Sequence, residues 1–191
     1  MAKVKLISLS GLEESIEGSK FPMSTDVNQL NSNITSTVQK LAHSTKSEGH
    51  DQFLTGITVI FDLTFSNKAW VEAERYTFLN FISSQSTMHK ITKFDIKSSC
   101  NSYVSDIIIK ECEKLINQYN ENPTNDNYLK VLYNIPSGFE LTARMITNYR
   151  CLKNIYSQRK NHRLPDWKIF CEWCEQLPYF KEWFVDESSI I

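Results

Sequence analysis

The sequence predicts an α+β fold, with a few strands early in the chain and long helices late. Three observations carry that expectation. Lys3 to Ser10 (KVKLISLS) and Ile57 to Phe65 (ITVIFDLTF) show the two-residue alternation and the branched or aromatic side chains of strands. Ser105 to Asn120 sets Ile108, Ile109, Cys112, Leu115 and Ile116 on one helical face. Phe139, Ile146, Tyr149, Leu152 and Tyr156 recur at helical spacings, which predicts a further helix from about Phe139 to Lys160.

Taken in order, the first strand turns Val4, Leu6 and, less cleanly, Leu9 toward apolar surroundings. Residues 13–46 are rich in Ser, Thr and Asn and are expected to be a mobile polar segment with one short helix near Leu30 to Ala42. Gly49-His50 ends it, and the second strand follows. A helix is expected from Asn67 to Ser83, carrying Trp70, Val71, Tyr76, Phe78, Leu79 and Ile82. Ser84 to Lys97 reads as a polar connection. After the amphipathic helix comes a loop around Pro123, then Tyr128 to Leu132, then a turn at Pro136 and Gly138. Pro165 opens a last helix, Asp166 to Gln176, ahead of a WFVDESSII tail. No repeats interrupt this order, so one domain over 1–191 is expected.

Composition narrows the function. With 41% hydrophobic and 12% aromatic residues, 191 residues suffice for a sizeable core. A net charge of −1 gives no electrostatic case for general nucleic-acid binding. The apolar runs are far short of a membrane span, and MAKVKLISLSG lacks the apolar core of a signal peptide. Five cysteines without framework spacing fit a reducing, cytoplasmic setting.

The expected helix from Phe139 carries polar and cationic residues among its apolar ones. Eleven residues apart, Asn148 and Arg159 would nearly eclipse, and Arg150 and Asn154 would share a second stripe. Two guanidiniums and two amides on such a helix are costly to bury unpartnered. Arg159 or Lys160 alone would fit a solvated cation complementing the helix dipole equally well, but the four together read as a helix that binds an anion or a base. Cys171-x-x-Cys174 lies among Phe170, Trp173 and Leu177 with no second ligand pair, and reads as packing rather than a metal or redox site. His162 reads as a helix-end cation. Five scattered glycines build no phosphate loop, and Glu72 and Glu74 do not face each other along a helix.

Asn148-x-Arg150-x-Leu152-x-Asn154-x4-Arg159, starting twelve residues after Pro136, resembles the C-terminal signature of flavin-dependent thymidylate synthases. Gln85-Ser-Thr-Met88-His89-Lys90 resembles that family's Q-x-x-R-H-R motif, Ser98 falls at its later serine, and Gly49-His50 before Phe53-Leu54 resembles the lead-in to its strand. The resemblance implies a small antiparallel sheet with long helices. It also implies a homotetramer holding FAD and dUMP between subunits, with one-carbon transfer to uracil C5 and no cysteine nucleophile. By the same resemblance, His89, Lys90, Asn148, Arg150 and Asn154 would bind FAD. Gln85, Ser98 and Arg159 would hold the nucleotide, with Arg159 the catalytic residue against the uracil carbonyls. The aromatic stretch Phe170 to Trp183 would supply apolar surface for assembly. Met88 and Lys90 replace motif arginines, Leu132 replaces another, and Gly56 replaces a histidine. Cys100 and Asn101 replace an Arg-Tyr pair, and Lys93 and Ile96 stand for Ser and Glu. Two readings follow: a flavin-dependent enzyme on a uracil-type nucleotide, or a diverged, virus-encoded relative that keeps the fold as a binding protein.

Overall fold

The computed structural model describes residues 2–45 and 48–185; Lys46 of the polar segment and most of the WFVDESSII tail lie outside them. Its centre is a four-stranded antiparallel sheet in the order β1-β2-β4-β3. The strands are β1 (Lys3–Ser10), β2 (Thr58–Ser66), β3 (Asn80–Ser84) and β4 (Glu140–Asn148). The helices are α1 (Leu12–Gly18), α2 (Ser36–His43), α3 (Asn67–Ala73), α4 (Thr87–Lys90), α5 (Ile96–Ser99), α6 (Asp106–Glu121), α7 (Asn125–Tyr133), α8 (Tyr149–Arg159), α9 (Pro165–Cys174) and α10 (Phe180–Phe184).

Strand β2 alternates as its sequence requires. Val59, Phe61, Leu63 and Phe65 are buried on one face. Asp62 and Thr64 lie on the other, where Asp62 accepts two bonds from Arg144 at 2.8 and 3.0 Å and Thr64 bonds Thr142 at 2.8 Å. On the inner face β4 places Ala143, Met145 and Thr147. Beneath them lies an aromatic layer: Phe61 and Phe65 meet Trp167, Phe170 and Trp173 of α9 at centroid distances of 4.7 to 6.1 Å. Tyr149, Phe180 and Trp183 continue it. A second cluster joins Ile109, Cys112 and Ile116 of α6 to Val131, Ile91 and Phe139.

Three expectations are corrected. The helix expected from Phe139 to Lys160 is a strand followed by a helix, with Asn148 at the break; Asn148 and Arg159 therefore share no helical stripe. The helix expected from Asn67 to Ser83 stops at Ala73, and residues 80–84 form edge strand β3. The aromatic stretch Phe170 to Trp183 is two short helices, and Phe170, Trp173, Phe180 and Trp183 face the chain's own core rather than offering an apolar surface. Within the polar segment, α2 occupies the second half of the expected helix, α1 lies at its start, and two 3-10 turns connect them.

Candidate functional site

A cleft of about 600 Å³ opens where β4 passes into α8. Strand and helix meet there because Asn148, in extended conformation, accepts the Cys151 amide hydrogen bond at 2.9 Å on its side-chain oxygen and so caps α8. The 3-10 stretch His50–Gly56 forms the opposite wall. Two contacts fix that wall. Tyr149 donates its amide to the Ile57 carbonyl at 3.1 Å. Gly11, in the left-handed region at φ 76°, packs its Cα onto the Gly56 carbonyl, where any side chain would collide. The third wall is the turn from Arg75 to Phe78 between α3 and β3.

The floor is charged. Asp51 is 1% exposed; its Oδ1 accepts from Arg150 Nε at 2.9 Å and its Oδ2 from Lys153 Nζ at 3.0 Å. Lys153 also donates to the Ala42 and Ser44 carbonyls at the end of α2, at 2.7 and 2.6 Å. Arg150 Nη1 donates to Gln52 Oε1 at 2.8 Å, which leaves Nη2 unpartnered among the described residues. Arg75 lines the cleft, is exposed, and its guanidinium has no partner among the described residues. The cleft thus carries three cations, Arg75, Arg150 and Lys153, against one carboxylate, Asp51: three minus one leaves +2. Carboxylates are accommodated here only as internal partners; the surplus suits an anionic ligand.

Of the residues singled out in the sequence, Asn148, Arg150 and Asn154 line this cleft together. Arg159 does not. It is 8% exposed and donates to Tyr76 Oη at 2.7 Å and Glu72 Oε2 at 2.9 Å. The break at Asn148 removes the one alignment that a long helix would have given it, with Asn148; on α8 Arg159 lies about half a turn around from Arg150 and faces Glu72 and Trp167. Gln85, His89, Lys90 and Ser98 lie elsewhere, on the run from β3 to α5. Gln85 continues the β3–β4 ladder by one bond, its amide donating to the Thr142 carbonyl at 3.0 Å, while its side-chain Oε1 accepts from the Thr142 amide at 2.9 Å. His89 and Lys90 are exposed on α4, and Ser98 is tied to Asp95 at the start of α5. Arg75, Asp51, Gln52 and Lys153 escaped sequence reasoning. One signal was present: Glu72-x-x-Arg75 repeats the spacing of the Q-x-x-R element sought at Gln85.

Cys171 and Cys174 are buried under α8, burial pushing the Cys171 thiol up to about 12 and raising that of Cys174 well above its ordinary value.

No family model matches the sequence, and no curated protein does. Solved structures do match. Thymidylate synthase X (ThyX) from Helicobacter pylori, with FAD and dUMP, superposes with a TM-score of 0.73 at 15% identity over 100% of this chain and 99% of that one. A second structure of the flavin-dependent thymidylate synthase ThyX from Helicobacter pylori, complexed with FAD and dUMP, gives 0.72 at 14% identity over 99% and 100%. The chain has the ThyX fold, as the resemblance implied.

Proposed function

We propose that the cleft binds a flavin dinucleotide, FAD, and that the protein is a diverged flavin-dependent thymidylate synthase-like protein that also takes a uracil-type nucleotide such as dUMP. The observation that carries this is the gathering of Arg75, Arg150, Asn148 and Asn154 around one cleft with a surplus of two positive charges. A pyrophosphate carries charge of the opposite sign and accepts forked donors, and two amides supply the uncharged donors and acceptors that a heteroaromatic ring needs. The donor set therefore fits the cofactor. Bound flavin would supply hydride and one-carbon transfer chemistry for methylation at uracil C5; this chain's residues would hold and orient it. The two ThyX structures described above were solved with these two ligands.

Gln85, His89, Lys90 and Ser98 bear on the same reading from another side. They lie outside their own chain's cleft, and they would complete a site only if a neighbouring copy brought them there. A homo-oligomer, the tetramer above all, supplies that arrangement. Five free thiols suit a cytoplasmic protein, and among the described residues no helix is long and apolar enough to cross a membrane.

The test is the visible spectrum of the purified protein and its titration with FAD. Bound flavin with a perturbed absorption band is the expected result, and Arg75→Gln should weaken it by roughly 1.5–3 kcal/mol, the worth of a charge-assisted bond. Absence of any FAD binding would remove the flavoprotein reading, and a monomer by light scattering at micromolar concentration would remove the shared site.

A further inference from the structure

Glu72, on α3, occupies a ring of donors. Its Oε2 accepts from Arg159 Nη1 at 2.9 Å and Trp167 Nε1 at 3.1 Å, and His162 Nε2 stands 3.3 Å away. Lys68 Nζ lies 3.6 Å from Oε1. Arg159 is held on its other sides as well. Its guanidinium lies over the Trp167 ring at 4.7 Å and the Tyr76 ring at 5.5 Å, and its Nε donates to Tyr76 Oη. That hydroxyl donates in turn to Gln158 Oε1 at 3.1 Å, and Gln158 Nε2 donates to Asn154 Oδ1 at 3.0 Å. Asn154 and Tyr76 both line the cleft. One unbroken chain of hydrogen bonds therefore runs from the cleft wall to Glu72, and Arg159 stands one residue behind that wall.

We propose that Glu72 is a specificity-determining residue, an internal anion that withholds Arg159 from the cleft. The proposal rests on the cleft being a nucleotide site. With Glu72 charged, Arg159 is neutralised, stacked and bonded, and no net attraction draws it toward a ligand. The cleft then selects ligands whose anionic groups Arg75 and Arg150 can hold by themselves, which favours a dinucleotide with a pyrophosphate. A mononucleotide that needs a further forked donor binds weakly. Replacing the carboxylate by an amide of the same shape keeps an acceptor for Trp167 and removes the charge. Arg159 is then a largely buried cation without a counter-charge, and an external anion at the cleft relieves that state.

Calorimetry with dUMP and with FAD on the parent, Glu72→Gln, Arg159→Lys and the double variant tests this. Glu72→Gln should bind dUMP about tenfold more tightly than the parent, a gain that the added Arg159→Lys cancels, with FAD affinity unchanged. In the parent background, Arg159→Lys should leave both affinities as they are and lower the melting temperature. Equal or weaker dUMP binding by Glu72→Gln overturns the proposal, as does a loss of dUMP affinity in the single Arg159→Lys variant. If Glu72→Gln does not fold, the Arg159 side-chain Nε–H resonance of the parent decides: unmoved by dUMP it supports the proposal, shifted it overturns it. A parent that binds neither ligand defeats the nucleotide-site reading; dUMP binding gained by Glu72→Gln would then still support the role of Glu72, and none would overturn both.

Discussion

At 1% exposure, Asp51 meets two cations from α8, one at each carboxylate oxygen. Removing one partner of such a set leaves buried charge unpaired, which costs roughly 3–5 kcal/mol where both partners are fully covered. Arg150 is about a third exposed, at 34%, so water can take over part of its role. Asp51→Asn should therefore cost about 3 kcal/mol, the lower end of that range, read as a shift of the urea midpoint at constant slope. Glu72 adds a dependence on pH. Burial pushes its carboxyl up, but the Trp167 indole N–H and the charges of His162, Arg159 and Lys68 together outweigh that and hold it below the ordinary value of 4.5. A folded-state value below the unfolded one adds stability above pH 4.5, and that stability is lost as the pH falls through the folded value. In acid the parent should lose stability more steeply than Glu72→Gln, followed by urea unfolding across that range. None of these pairings was legible in the sequence. Arg159 and Glu72 are 87 residues apart, Arg150 and Asp51 99 apart, and no local pattern encodes contacts of that separation.

At the scale of elements, legibility followed how much of each face is buried. Helix α6 was read within a residue because Ile109, Cys112 and Ile116 bury one face while the other stays wet. Strand β2 was read from its alternation; β1 was read at its bounds, but a bulge between Leu6 and Ser8 breaks its alternation and leaves Leu6 exposed, against the expectation. Strand β4 was missed because Phe139, Ile146, Tyr149 and Tyr156 fall at helical spacings across a strand-to-helix junction. Its true inner row (Ala143, Met145, Thr147) contains a small and a polar residue that weaken the alternation. Strand β3 was missed because all five of its residues are exposed, so no inner face marks it. The junction itself makes a prediction. Asn148→Ala deletes the cap of α8 and should cost about 1 kcal/mol in thermal or urea unfolding. Asn148→Asp keeps an acceptor for the Cys151 amide, so it should retain the stability while its lost amide donor and added negative charge weaken FAD binding. Together the two variants separate the capping role from the ligand role.

Across the whole molecule, the tryptophans and thiols report how tightly the layers close. Cys112, Cys151, Cys171 and Cys174 are buried, and burial also pushes the half-buried Cys100 thiol up to about 11. Near neutral pH the native protein should react slowly with iodoacetamide at all five cysteines, and all five should become reactive in denaturant, counted by mass spectrometry. Prompt modification of Cys171 or Cys174 in the native state would mean that α9 leaves the sheet. That helix has a further consequence, which concerns the order in which the chain is made. Strand β1 pairs with β2, β2 with β4, and α9 packs back against β1, so the first strand is covered by residues synthesised more than 150 positions later. During translation a nascent chain that has reached β2 can pair it with β1 but lacks the aromatic layer of α9 that covers its inner face. Phe65 can meet Trp70 as soon as α3 follows, at 5.4 Å, but Phe61 stays without its aromatic partners until Phe170 and Trp173 emerge. Folding is then a late event dominated by distant contacts, slow by the measure of local helical proteins, and a ribosome stalled between β4 and α9 would display the part of the sheet that α9 covers, Phe61 above all, to chaperones.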